Sequence, residues 1–402
     1  MKFIHVGDTH IGQVYKNDNR NNDIKNAFIQ LIDYTIENKI DFIVHSGDLF
    51  DVGTPPLDAL LFVTDQLNRL KKEGIPLFII PGSHDVGVGE EESIIELFHK
   101  NGLLINLNSK EYISIGERVK LSGKTYKSAF ICGIKGKRSR VEDEIFKKLD
   151  IEIDESTRIK IFVFHHTISF LGEKFKDLET ESLPKGFDYY AAGHWHGHKE
   201  NIPYDKGIIQ YPGSLEYCDE KEIVDNPNRG FYIIDYNENG INSILYKVIK
   251  TRNKQIFTFN ANGKNPQDLE KEVLDKLSKN EGDILVIKLD GKVKGKSSDI
   301  NLVKIKNIGY ELGYSYISIN RSKLSDEESP YENEDIKNQE ISSIEEEFLK
   351  SQGYSDPEIR IGKYLIESIG EDTDKIKSDI ERMFYHDIIW DKPWKYKKPQ
   401  YN

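Results

Sequence analysis

The chain has 402 residues, 37% hydrophobic and 31% charged, with 56 Lys+Arg against 68 Asp+Glu and a formal net charge of −12. That length predicts two or three domains, and no apolar run approaches the roughly 18 residues that a membrane helix needs. Two cysteines, Cys132 and Cys218, exclude a disulfide-built secreted scaffold and a Cys-rich zinc module, so a cytoplasmic protein is expected.

The chain opens with strands and helices in alternation. Phe3–Val6, Phe42–Val44 and Leu77–Ile80 are short apolar runs that read as buried strands. Between them, Ile24, Ala27, Phe28, Leu31, Ile32 and Ile36 follow helical spacing, as do Leu57, Leu60, Leu61, Leu67 and Leu70. Such alternation predicts βαβ units and a largely parallel sheet. After about residue 110 strands dominate: Ala129–Cys132, Ile161–Phe164, Tyr189–Ala192, Ile208–Tyr211, Phe231–Tyr236 and Ile244–Ile249. Residues 1–250 are therefore expected to form an α/β sandwich, two packed sheets between helical layers.

Residues 251–324 repeat strand, helix, strand, helix, strand, at Gln255–Asn260, Asp268–Leu277, Ile284–Leu289, Leu302–Leu312 and Tyr316–Ile319. They predict a small α/β domain with its own core. Residues 325–340 carry seven acids, one Lys and Pro330, too little apolar surface to fold, and read as an acidic linker. Over 341–390, apolar residues such as Ile344, Phe348, Tyr364, Leu365, Ile380 and Phe384 predict short amphipathic helices. Asp356-Pro357 marks the start of one of them. Residues 391–402 form a basic tail. Charge follows the same divisions: 250–322 is net +5, while 325–390 is net −12, as much as the whole chain.

The chemistry-bearing motifs sit where apolar runs end. Asp8-Thr9-His10, Gly47-Asp48-Leu49-Phe50-Asp51, Gly82-Ser83-His84-Asp85 and Gly193-His194-Trp195-His196 each follow a strand, and His165-His166 ends another. Carboxyl ends of parallel strands share one edge, so motifs far apart in sequence can converge. The adjacent glycines are expected to let the backbone turn sharply there and to leave room near the ligands. Carboxylates combined with several imidazoles suit Mn²⁺, Fe²⁺ or Zn²⁺ better than Ca²⁺ or Mg²⁺. Six such ligands are too many for one ion and suit a pair sharing a carboxylate, the arrangement that clamps a phosphate for in-line attack.

In this ordered set the chain resembles the calcineurin-like metallophosphoesterases. Within them it is similar to the SbcD or meiotic-recombination-eleven nucleases. Phe-Ile-His-Val-Gly-Asp-Thr-His-Ile-Gly at the start, His-Ser-Gly-Asp-Leu-Phe-Asp at 45–51 and Tyr-Pro-Gly-Ser at 211–214 carry that resemblance. It implies a two-sheet α/β/β/α phosphoesterase domain, a small α/β DNA-capping domain and a C-terminal helical partner-binding segment. It further implies two Mn²⁺ per subunit, one held by Asp8, His10 and His196 and the other by His165 and His194, with Asp48 bridging. His84 would assist the leaving oxygen, with Asp85 orienting it. Ser83 stands where the family has a metal-ligating Asn, so weaker second-site binding is expected. The implied activity is 3′-to-5′ exonuclease and single-strand endonuclease in double-strand-break repair. The implied partners are DNA, a second copy of the chain packed through helices near 57–72 and 91–100, and an ABC-type coiled-coil ATPase of the SbcC or Rad-fifty family docked on 341–390.

Other residues have plainer readings. His5 and His45 precede motif aspartates within strands and are expected to be satisfied core histidines. His198 is expected to be a loop residue facing solvent or substrate, and Trp195 to pack. Asp51 is equally compatible with a turn cap, a DNA contact or support for a ligand histidine. Lys288, Lys292, Lys294 and Lys296 in the net-positive domain are candidates for phosphate contacts, as are Lys137 and Arg138. Two rival functions stay open: a phosphoesterase of small phosphodiesters, and a DNA-bridging scaffold weakened by Ser83.

Overall fold

The computed structural model describes residues 1–327 except 13–17, 87–91, 109–112, 116–117, 137–141, 173, 175 and 226–227. The helices expected at 341–390, the basic tail, and the pair Lys137 and Arg138 lie outside the described residues. The first half runs β1 (Lys2–Val6), α1 (Asp18–Glu37), β2 (Phe42–His45), α2 (Leu57–Lys72), β3 (Leu77–Ile79), α3 (Ile94–Lys100) and β4 (Ile105–Asn106). It continues through β5 (Ile113–Ile115), β6 (Arg118–Leu121), β7 (Lys124–Tyr126), β8 (Ala129–Ile134), α4 (Glu142–Lys147), β9 (Leu149–Ile151) and β10 (Ile159–His165). Next come β11 (Tyr189–Gly193), β12 (Lys199–Tyr204), β13 (Gly207–Tyr211), α5 (Glu220–Asp225), β14 (Gly230–Asn237) and β15 (Gly240–Val248). The last stretch is β16 (Lys254–Asn260), α6 (Pro266–Lys276), β17 (Ile284–Val293), α7 (Leu302–Glu311) and β18 (Tyr316–Asp326).

Two six-stranded sheets form the body, ordered β15-β14-β1-β2-β3-β4 and β12-β13-β11-β10-β8-β7. The central strands β1 to β4 run parallel, as do β8, β10, β11 and β13. Antiparallel strands close the edges of the second sheet. Strand periodicity of two explains the layering. In β10, Ile161 and Val163 join Phe3, Phe42, Val44, Phe78 and Tyr189 in the core between the sheets. The alternate residues Phe162 and Phe164 face outward, where Cys132, Phe146, Tyr190 and Tyr211 cover them. On the outer face of the first sheet, Ile4, Ile43 and Ile79 pack against Phe28 and Leu31 of α1, Val63 and Leu67 of α2, and Phe98 of α3. The result is the expected α/β/β/α sandwich.

β16, β17 and β18 form a separate parallel three-stranded sheet, with α6 and α7 on a core built around Leu269, Val273, Leu285, Ile287 and Ile305. β18 extends to Asp326, whose carboxylate accepts the Ser297 amide at 2.7 Å, so the strand reaches two residues into the stretch assigned to the linker. The outer face of β17, at Ile284 and Val286, meets Tyr217 and Ile223 of the body. Arg252 ties the same junction, donating to Asp23 of α1 at 2.6–3.1 Å and to the Gly282 carbonyl at 2.9 Å. Residues 1–326 make one compact unit.

Candidate metal centre

The carboxyl ends of β1, β2, β10 and β11 meet at one edge. Loop backbones hold them there: the Asp8 amide donates to the Gly47 carbonyl at 3.0 Å, and the His10 amide to the Asp48 carbonyl at 3.1 Å. The His194 amide reaches back to both Asp8 carboxylate oxygens at 3.0 and 3.1 Å. Four of the expected ligands take left-handed backbone conformations: Asp8 (φ 52°), His10 (φ 45°), Asp48 (φ 54°) and His194 (φ 78°). Each costs of order 1–3 kcal/mol in a non-glycine residue, and such strain gathers at functional sites.

The flanking glycines divide between the two roles expected of them. Gly47 does turn with positive φ, at 101°. Gly7, Gly82 and Gly193 make room: a Cβ on them would collide with the Ser46 hydroxyl, the Asp48 carboxylate and the Ser46 carbonyl respectively.

Asp48 lies at the centre. Its Oδ2 is 3.0 Å from His165 Nε2 and 3.8 Å from His10 Nε2, while its Oδ1 accepts the His84 amide at 2.8 Å. Two donor groups share it, Asp48 with His165 and His194, and Asp48 with His10 and His84. Asp8 Oδ1 is 4.0 Å from both His165 Nδ1 and His196 Nε2. Asp8, His10, Asp48 and His165 are buried, whereas His84, His194 and His196 are 32%, 34% and 31% exposed, so the site opens on their side.

Each of three imidazoles has Nδ1 against an oxygen: His10 on Asp51 at 3.0 Å, His165 on the Ser46 carbonyl at 2.8 Å, and His196 on Glu222 at 2.6 Å. Carbonyls and ionised carboxylates only accept, so Nδ1 carries hydrogen and Nε2 points into the site, the usual way a protein sets a metal-ligating histidine. The Nε2 atoms of His10 and His196 come within 3.1 Å of each other. Burial alone would lower the His10 pKa, but the bond to Asp51 and the charges of Asp48 and Asp8 raise it to about 9. His165 behaves alike: burial opposes the charge, and Asp48 and Asp8 lift it to about 9. Burial pushes Asp48 up, yet His165 and His10 hold it well below the ordinary carboxylate range. Clustered negative charge here attracts protons when it has no metal.

Other expected residues fall as follows. His84 Nδ1 is 2.7 Å from the Asp51 carbonyl and its ring lies edge-on to His10. Asp85 does not orient that ring. Its carboxylate accepts the backbone amides of Leu49 (3.2 Å), Phe50 (2.9 Å) and Gly82 (2.9 Å), so it pins two ligand-bearing loops together. Burial, with Asp48 nearby, raises its pKa to about 6. Asp51 supports His10 and His84, which decides among the readings left open for it. His5 and His45 are fully buried and bonded to Tyr189, Ser46 and Thr9, and burial drives each pKa down to about 3, as core histidines require. His198 is half-buried, with its Nε2 2.6 Å from the Tyr232 hydroxyl and its ring stacked on Tyr246 at 3.9 Å. Trp195 packs against the outer-face core.

The candidate lysines separate. Lys292, Lys294 and Lys296 are exposed, but Lys288 is half-buried in a cleft beside α5, lined by Asp219, Glu220, Asp225 and Asn320. Sequence reasoning missed Glu222, which holds His196 and is itself bonded to Arg229 (2.7 Å) and Ser214 (2.8 Å). It also missed Asp177, 3.5 Å from His194.

These residues fit a pair of divalent cations. Hard and borderline donors surround two adjacent positions, and Ser83 Oγ is buried with no hydrogen-bond partner among the described residues. An unsatisfied buried hydroxyl costs about 1–3 kcal/mol, which a cation or its water would relieve. Sheets, strand-end ligands and donor set together define a calcineurin-like phosphoesterase, and that family's model matches residues 1–198. Relatives narrow this further. "DNA double-strand break repair protein Mre11" of Sulfolobus acidocaldarius is 29% identical over 394 residues, covering 96% of this chain and 98% of the relative. The protein of that name in Methanococcus maripaludis is 30% identical, covering 68% of this chain and 73% of its own length. Its counterpart in Methanocaldococcus jannaschii is 31% identical, covering 60% and 64%. The chain belongs to the Mre11 family, and it is a metal-dependent phosphodiesterase of the DNA-nuclease type.

Proposed function

We propose that the protein is a Mn²⁺-dependent DNA nuclease, a 3′-to-5′ exonuclease and single-strand endonuclease that acts in break repair. The observation that carries this reading is the convergence of Asp8, His10, Asp48, His165, His194 and His196 on one open edge, with Asp48 shared between two donor groups. Two bound cations would polarise the phosphate and supply a nucleophile at neutral pH. Asp8, His10 and His196 would hold one of them, and His165, His194 and Ser83 the other.

The remaining chemistry belongs to the side chains. With Nδ1–H donated to the Asp51 carbonyl, His84 would give a proton to the leaving oxygen from Nε2. Asp51 also steadies His10, so one residue links a metal ligand to the proton donor. Lys292, Lys294 and Lys296 offer positive charge to the DNA backbone from the small domain.

Partners follow from surfaces. Leu57 and Leu61 of α2 and Leu97 of α3 are 70%, 57% and 51% exposed, an apolar patch suited to a homodimer contact. Residues 341–390 are assigned to an ABC-type coiled-coil ATPase of the SbcC or Rad-fifty family, because the apolar spacing of their sequence, behind an acidic stretch, calls for another surface.

The test is incubation with Mn²⁺ and end-labelled single- and double-stranded DNA, alongside a small chromogenic phosphodiester and a His84→Ala control. Shortening of labelled DNA by the wild type, slowed about 10²–10⁴-fold in the variant, is expected. Turnover of only the small ester would transfer the protein to the small-phosphodiester class. Binding of DNA without cleavage at saturating Mn²⁺ would make it a scaffold.

A further inference from the structure

The segment Ser214–Glu222 brings sulfur to the metal centre. Cys218 Sγ, a ring nitrogen of His10 and a ring nitrogen of His196 all lie within 4.8 Å of one another. The other cysteine, Cys132, gives the contrast. It sits on β8 among Phe130, Ile134 and Phe162, inside the outer-face core. Cys218 is buried too, but it belongs to none of the apolar clusters among the described residues. Its surroundings are polar. The Cys218 amide donates to Glu222 Oε2 at 2.9 Å, and its sulfur lies 3.4 Å from the Glu216 carbonyl.

The backbone that carries this thiol is stitched to both ligand loops. The Leu215 amide donates to the Asp8 carbonyl at 3.2 Å, and the Ser214 amide to the His196 carbonyl at 3.2 Å. Glu222, which receives the Cys218 amide, also holds His196 Nδ1. The sulfur is therefore positioned by the same contacts that position the imidazoles. In a tetrahedral zinc site, bonds of about 2.0–2.3 Å place donors roughly 3.5 Å apart, so a side-chain rotation of about 1 Å would close this set.

We propose that Cys218 is a metal-specificity residue: a thiophilic divalent cation entering between His10 and His196 displaces the thiol proton to solvent and binds the sulfur. This rests on the reading of His10 and His196 as ligands. Manganese favours oxygen donors and gains little from sulfur, whereas Zn²⁺ and Cd²⁺ take thiolate and imidazole together. The position held by His10 and His196 then prefers thiophilic cations, and the one shared by His165 and His194 does not. Zinc is accordingly a competitor for half of the site.

The test titrates the metal-free full-length chain with Cd²⁺ and follows the ultraviolet thiolate-to-cadmium absorption band. Bound Mn²⁺ is followed by electron paramagnetic resonance in parallel samples. Wild type and Cys132→Ser are expected to show a band that saturates at one sulfur per chain. Cys218→Ser is expected to lack it, to lose at least about tenfold in preference for Cd²⁺ over Mn²⁺, and to keep Mn²⁺ affinity within about threefold. Uptake of Cd²⁺ by the wild type without the band, or a band surviving in Cys218→Ser, would overturn the assignment. Failure of the underlying reading looks different: His10→Ala would then leave uptake of both ions unchanged.

Discussion

At the scale of single residues, protons and metal ions compete for the same atoms. His10 and His165 have pKa values raised to about 9 in the metal-free protein, against about 6.5 in an unfolded chain. Groups with raised pKa stabilise the fold fully below pH 6.5 and lose that contribution as pH rises through 9. The melting temperature of the metal-free protein should therefore fall between pH 7 and pH 10. Metal requires neutral imidazoles, so its affinity should rise over the same interval. Calorimetry near pH 7 in buffers of different ionisation enthalpy should detect proton release on Mn²⁺ binding; no release would contradict the raised values. Ser83 makes a second prediction. Its hydroxyl is shorter than an Asn amide, and Ser83→Asn should tighten the second Mn²⁺ by about tenfold and raise cleavage at limiting metal. Unchanged affinity and rate would show that Ser83 does not limit that position.

At the scale of elements, strand ends bring the candidate ligands together and short loops orient them. The candidate ligands stood out in the sequence because their motifs follow apolar runs, and all but His165-His166 lie beside glycine. The residues that orient them did not. Glu222 is one acid in the run Asp219-Glu220-Lys221-Glu222, where nothing local separates it from its neighbours. Only the fold brings it 2.6 Å from His196. Asp85 shows the reverse limit: adjacency to His84 suggested a direct bond, but its carboxylate turns inward to three amides of two loops. The helix α5 also reaches the small domain, because Glu220 bonds Ser318 and Asn320 of β18 while Glu222 holds His196. Glu222→Gln should weaken the cation at His10 and His196 by about 10–100-fold and spare the other, measured by Mn²⁺ titration. Equal weakening at both positions would mean a general loss of structure instead.

At the scale of the molecule, net charge is an average over parts with different tasks. The value of −12 equals that of 325–390 alone, and the small domain at 250–322 is positive. Layer order and the small domain's strand-helix repeat were legible because apolar periodicity encodes them. The junction was not, since it depends on contacts such as Arg252 with Asp23 across 229 residues. Deleting 341–390 should abolish association with the ATPase while preserving metal-dependent cleavage of short DNA; co-elution of the truncated chain with the ATPase would refute the docking assignment. The account as a whole stands on Asp48 serving two cations at once. The most direct measurement is the rate at which full-length wild type and Asp48→Asn shorten end-labelled DNA in saturating Mn²⁺. Robust cleavage by the wild type and a loss of at least about 10²-fold in the variant are predicted, whereas an inert wild type or an undiminished variant would contradict the two-ion nuclease.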